Sequence, residues 1–198
     1  IGEWCHPTLT ADIDDSGIRA QVRSGLLSTS LGVPFHTPAE GKNIAFTSLW
    51  DNYPDSLTIP LTGKASHAYL LLAGSTNHMQ CHIANGVIRV HYADGTSETL
   101  ELINPDNWCP IEQDFYVDGI AFCLQTPRPY RLHFKSGLVS NNLEKDLNIT
   151  GVYGRSIDGG AGVLLDMLLD PHKELKSLTL ETLSNDVVIG IMGITLQK

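Results

Sequence analysis

Gly86-Val87-Ile88-Arg89-Val90-His91-Tyr92-Ala93-Asp94-Gly95-Thr96-Ser97-Glu98-Thr99-Leu100-Glu101-Leu102 decides the fold. Ile88, Val90 and Tyr92 alternate with Arg89 and His91, and Leu100 and Leu102 bracket Glu101. A period of two is the signature of a strand with one buried face. Asp94-Gly95 between two such runs is a strong short-range hairpin signal. The spacing predicts strands over 87–92 and 96–102, followed by a loop of amide, carboxylate and indole groups at Asn104-Pro105-Asp106-Asn107-Trp108.

Strand patterns continue in both directions. Residues 18–22 alternate after the turn Asp14-Asp15-Ser16-Gly17. Residues 43–49, 56–61, 120–124, 130–134, 163–168, 175–183 and 187–196 also read as strands. Residues 68–73 form an apolar run too short for a helix and suited to a central strand. No stretch sustains a capped helical period, and glycine and proline fall between the strands as turn punctuation. Turn signals every ~8–12 residues make the chain all-β, a sandwich or barrel. The expected fold is a jelly-roll-like β-sandwich of two antiparallel sheets. Residues 1–30 are expected to lead into it, covering an edge or linking to an upstream domain, and 31–198 to form the sandwich. The segment 136–160, rich in Asn and Gly, is expected to be the most flexible.

The 198 residues fit one domain. A domain of this length buries roughly 70% of its unfolded surface and folds without staples. Its net charge is -9, with 13 scattered basic residues. That balance repels phosphate, so nucleic acid and anionic membrane surfaces are poor partners, while a neutral glycan is compatible. No apolar run approaches the ~20 residues that cross a bilayer, so no membrane insertion is expected. The chain begins at Ile1, as a processed product, an excised piece or an incomplete chain would. Cys5, Cys81, Cys109 and Cys123 contain no CxxC, which argues against structural zinc. Disulfides are compatible with export, and Cys109 and Cys123 flank one loop. Free, mostly buried thiols are the favoured reading.

Several pieces recur together in a familiar order. Gly32-Val33-Pro34-Phe35 leads into a strand, and Ile59-Pro60-Leu61-Thr62-Gly63-Lys64-Ala65-Ser66-His67-Ala68-Tyr69-Leu70-Leu71-Leu72-Ala73 follows. Then come Tyr92-Ala93-Asp94-Gly95 and Asn107-Trp108, and a tail holding Leu169-Asp170-Pro171-His172 and Val188-Ile189-Gly190. Over residues 30–198 this resembles the galactose-binding-like jelly rolls attached to bacterial polysaccharide-degrading enzymes. It also resembles the C-terminal region of large exported proteins of gut polysaccharide degraders. The resemblance implies an accessory sugar-binding or structural β-sandwich of a glycan-degrading protein, exported to the periplasm or cell surface. Catalysis would then lie in another domain of the same parent. Such jelly rolls often carry a structural calcium; no other cofactor is implied.

Two polar, aromatic loops are the candidate sugar contacts. In Trp50-Asp51-Asn52-Tyr53 the rings suit the C–H faces of a pyranose, and Asp51 and Asn52 suit its hydroxyls. The competing reading makes Trp50 a core anchor and 52–55 a plain turn. Asn107 and Trp108 form the second candidate, with Glu112, Asp114, Tyr116 and Asp118 beyond them. On an extended chain Glu112, Asp114 and Tyr116 share one side. Two acids fall short of the 6–8 oxygens that calcium takes, and here the competing reading is a solvated loop with Trp108 packed inward. The substrate-binding set is therefore Trp50, Asp51, Asn52, Tyr53, Asn107 and Trp108, with oligo- or polysaccharide as the ligand.

Other functions have weaker signals. A glycoside hydrolase needs two carboxyls ~5–5.5 Å or ~6.5–9.5 Å apart, and Glu112, Asp114 and Asp51 are the first candidates. A structural module packing on a catalytic domain would instead bury the tryptophans. His78 and His82 have a metal spacing only on a helix, and the strand before Gly74 argues against one. Gly159-Gly160-Ala161-Gly162 lacks the Lys-Ser/Thr of a phosphate loop and reads as a flexible turn. Asn148-Ile149-Thr150 is a formal glycosylation sequon.

Overall fold

The elements run α1 (Ser16–Gln21), β1 (Leu26–Ser28), β2 (Pro34–His36), β3 (Ala45–Ser48), β4 (Ser56–Pro60), β5 (His67–Thr76), β6 (Ala84–Tyr92), β7 (Ser97–Ile103), β8 (Tyr130–His133), β9 (Val139–Ser140), α2 (Leu143–Asp146), β10 (Ala161–Leu168), β11 (Leu175–Thr182) and β12 (Val187–Gln197). The computed structural model describes residues 13–50, 53–76, 80–114, 123–124, 126–149 and 156–198. One sheet has the order β3-β12-β5-β10-β8-β9 and the other β4-β11-β6-β7, with β1 and β2 forming a separate hairpin. All these pairings are antiparallel. The chain is an all-β sandwich of two antiparallel sheets.

The β6–β7 hairpin has Ile88 opposite Leu100 and His91 opposite Ser97. Tyr92 N donates to Thr96 O at 2.9 Å and Gly95 N to Tyr92 O at 3.1 Å. Residues 93–95 form the loop, and Gly95 takes φ +88°, which glycine adopts without a Cβ penalty. Asp94 Oδ1 accepts from Thr96 Oγ1 at 2.6 Å and Thr96 N at 2.9 Å. Those bonds hold the Asp94 carboxyl below the usual carboxylate range.

β5 is the central strand, between β12 and β10. Its even residues Ala68, Leu70 and Leu72 enter the core between the sheets, where Ile88, Val90, Tyr92, Leu178 and Leu180 meet them. Its odd residues Leu71 and Ala73 point the other way and are equally buried. Ile18 and Val22 at α1, Leu27 of β1 and Phe35 of β2 cover them. The N-terminal elements therefore lie over a sheet face, where an edge cover or linker was expected. A boundary at residue 30 falls inside the β1–β2 hairpin.

Residues 18–22, predicted as a strand, belong largely to α1. Ile18 and Val22 are four apart, so both a strand and a helix place them on one side. The local bonds select the helix: Ser16 N donates to Asp14 Oδ1 at 3.0 Å, and Arg19 Nε to Asp15 Oδ2 at 2.8 Å. Ile18 N donates to Phe134 O at 2.9 Å and ties the turn to the sheet. In the segment expected to be flexible, α2 is capped by Asn142, whose side chain accepts from Lys145 N, and Leu143, Ile157 and Ala161 form a third buried cluster. Cys123 and Leu124 lie outside any strand, and the rest of the strand predicted over 120–124 lies outside the described residues.

Arg131 of β8 is 1% exposed. Its guanidinium donates to Pro110 O at 2.9 Å, Ala161 O at 3.0 Å and Gln113 O, with the Asp114 carboxylate 3.6 Å away. Asp114 Oδ2 accepts from Glu144 N, in the first turn of α2, at 2.6 Å. One buried cation thus joins the 110–114 segment to β8, β10 and α2.

The hairpin cover is seated through Gly193. A Cβ there would stand 2.9 Å from Phe35 Cδ1 and 3.0 Å from its Cβ. Gly193→Ala is therefore expected to cost about 1–3 kcal/mol by overpacking, seen as a lower urea midpoint. An unchanged midpoint would mean that the hairpin is free to shift.

Candidate functional site

The predicted sugar contacts separate once they are placed. Trp50 and Tyr53 are half-buried in the β3–β4 connection, with ring centroids 6.5 Å apart and planes tilted by 51°. Tyr53 N donates to Trp50 O at 3.0 Å and Ser48 N to Pro54 O at 2.9 Å, closing the turn. Asp51 and Asn52 lie outside the described residues. The same end of the sandwich carries exposed Leu49, Ile83 and Leu183. Thr182 N to Asp55 O and Leu183 N to Asn85 O, both 2.9 Å, bring these connections together.

Asn107 and Trp108 serve the fold. Asn107 Oδ1 accepts from Ile103 N and its Nδ2 donates to Glu101 O, both at 2.8 Å, so its amide closes its own loop. Trp108 is fully buried in the core between the sheets. An indole with no exposed face cannot stack on a sugar, so Trp108 is corrected to a core anchor. Gly74 makes room for it: a Cβ there would stand 2.9 Å from Trp108 Cη2.

The acids and thiols are likewise largely internal. Asp114 is 4% exposed and faces Arg131. Burial pushes the Glu112 carboxyl above the usual range, with Arg131 pulling it partly back. Tyr116, Asp118 and His78 lie outside the described residues, and His82 is exposed. Cys109 is buried, and that burial pushes its thiol up to about 12. Cys81 and Cys123 are also free, but Cys81 is only half-buried and Cys123 is exposed. Among the described residues no three His, Cys, Asp or Glu side chains group as a metal site. No helix among them is long and apolar enough to cross a membrane.

The site with binding geometry lies on the outer face of the larger sheet, where the hairpin cover stops. Asp166 stands opposite Tyr69, and Leu164 lies between Tyr130 and Leu71. With Thr29, Leu31 and Val33 of the hairpin segment, Tyr69, Tyr130, Leu164 and Asp166 line a groove of about 320 Å³. Tyr130 is 43% exposed and Leu31 45%. Tyr69 OH donates to Gln197 Oε1 at 2.8 Å, and its oxygen can still accept. His67 Nδ1 lies 2.8 Å from Asp166 Oδ1, and the His67 and Tyr69 rings are parallel within 5° at 5.7 Å. Among the described residues no Lys or Arg lines the groove. Phenol rings, an apolar floor and a carboxylate can together take an amphipathic neutral ligand.

Sequence reasoning missed this groove because its residues sit inside strands or in the β1–β2 turn. A signal exists in β5, whose outward positions change from His67 and Tyr69 to Leu71 and Ala73. The change marks where burial of that face begins.

No family model matches the chain, and no curated protein or solved structure matches it.

Trp108→Ala is expected to cost about 3–5 kcal/mol of stability, and Trp50→Ala far less; equal losses on chemical denaturation would contradict the placement of Trp108. Glu112 makes a signed prediction. As pH rises, the unfolded chain releases the Glu112 proton before the folded chain does, so stability falls until the raised folded value is passed. Glu112→Gln removes this titration. Its melting temperature should gain on wild type from about pH 4 towards neutrality; parallel pH profiles would refute the assignment.

Proposed function

We propose that this chain is a non-catalytic carbohydrate-binding β-sandwich of an exported glycan-degrading protein, holding an oligo- or polysaccharide in the groove between the β1–β2 hairpin and the outer face of β5 and β10. One observation carries the reading: two tyrosine rings, an aliphatic floor and a carboxylate converge on one open groove of about 320 Å³. Pyranose rings have apolar faces and hydroxyl rims, and this combination matches both. The half-buried Trp50–Tyr53 pair at the end of the sandwich is a second contact for a long chain. Export, and a catalytic domain in the same parent, rest on the resemblance of the jelly-roll motifs.

Exposed apolar residues favour a second reading, a structural module packing on a catalytic domain. Leu168, beside the groove, is 70% exposed, and Leu49, Ile83 and Leu183 cluster at the sandwich end. Exposed apolar surface at two places is compatible with protein contacts.

Calorimetric titration of the chain with plant and host polysaccharides, with reducing-sugar release followed in parallel, separates the readings. Binding in the millimolar to micromolar range, about -4 to -8 kcal/mol, without sugar release is expected. Tyr130→Ala should weaken it about ten-fold while leaving the melting temperature near wild type. Absence of binding across the panel, together with self-association, would favour the structural module; sugar release would place catalysis in this chain.

A further inference from the structure

The carboxylate of the groove is bonded to a histidine, with no Lys or Arg among the described lining residues, and this bears on which glycans fit. Building on the saccharide-binding reading, we infer that the groove takes uncharged glycan chains and rejects those bearing uronate or sulfate groups. Asp166 is the one Asp or Glu among the lining residues, and its side chain is 48% exposed. His67 Nδ1 meets Asp166 Oδ1 at 2.8 Å. In the Nδ1–H tautomer this bond orients the carboxylate without cancelling its charge. With Oδ1 taken by His67, Oδ2 is the oxygen left to accept from a ligand. A sugar hydroxyl donating to it forms a charge-assisted bond, the stronger kind.

The surrounding cations are directed elsewhere. Arg131 lies on the strand next to β10, but its guanidinium is buried against Pro110, Gln113 and Ala161. Lys198 follows Gln197, whose register partner is His67, and it lines a separate hollow with Lys64 and Pro171. A uronate or sulfate lying against Tyr69 would therefore face Asp166 with no Lys or Arg among the described lining residues, and like charges at that distance repel. The net charge of -9 adds a longer-range repulsion that salt screens over about 10 Å at 0.1 M.

The test is affinity electrophoresis and calorimetry of the whole chain at low salt. The neutral probes are mixed-linkage β-glucan, xyloglucan, galactomannan and xylan; the anionic ones are polygalacturonate, alginate and chondroitin sulfate. The tightest neutral glycan should bind at least about ten-fold better than any anionic one. Asp166→Asn keeps the side-chain shape and should weaken neutral binding about ten-fold while leaving the melting temperature unchanged. An anionic glycan that binds as tightly as the best neutral one, or neutral binding unaffected by Asp166→Asn, overturns the charge assignment and leaves the saccharide reading standing. Absence of binding to every probe overturns both.

Discussion

A strand that is apolar on both faces must be covered twice, and β5 is such a strand from Leu70 to Ala73. One cover is the four-stranded sheet, whose inward residues Ile88, Val90, Leu178 and Leu180 complete the sandwich core. The other is smaller: α1 and the β1–β2 hairpin set Ile18, Val22, Leu27 and Phe35 on Leu71 and Ala73. At ~25 cal/mol per Å², burying side chains of this size is the main favourable term available to the fold. The hairpin is short, and its cover thins from fully buried Leu71 to Tyr69, which packs against it but is only half-buried. There the face carries Tyr69, Asp166 and His67, and the candidate groove lies along this border. The groove thus follows from the way the central strand is buried.

The buried guanidinium of Arg131 plays a different part. Its hydrogen bonds satisfy the carbonyls of Pro110 and Gln113, which lie outside the named strands, and that of Ala161 at the start of β10. Replacing such an ion with an apolar residue can be neutral for stability, whereas removing one partner of a buried pair is costly. Asp114, which two-residue spacing placed beside Glu112 as a candidate acid, is one of those partners. Its carboxylate holds the chain together and faces away from solvent.

The legible part of the sequence was the part with period two or, in β5, a short continuous apolar run. β6, β7, β10, β11 and β12 follow from alternation, β-branched residues and turn residues, and β5 from its apolar run, because each has at least one face buried over five or more residues. β1, β2 and β9 span two or three residues each, too few for a period to show. α1 was hidden because Ile18 and Val22 satisfy both periodicities. The loop aromatics were ambiguous for another reason: local sequence does not say which way an indole points. Trp108 turns inward because Gly74, on a neighbouring segment, leaves the space for its ring. The groove draws on β5, β8, β10 and the hairpin, and proximity of that kind is set by sheet register, which no local window contains.

β7 ends the smaller sheet with one side of its backbone unpaired by β6. Such an edge is a template on which a second molecule can add a strand, the first step towards aggregation. Glu98 and Glu101 lie three apart on it, and Glu98 stands opposite Val90, a residue of the buried face. A copy docking antiparallel on this edge in a register that pairs Glu98 or Glu101 with its own counterpart would bring acid against acid. The acidic balance of the chain, read first as a bar to phosphate partners, is here of the kind that disfavours edge-to-edge pairing of sheets.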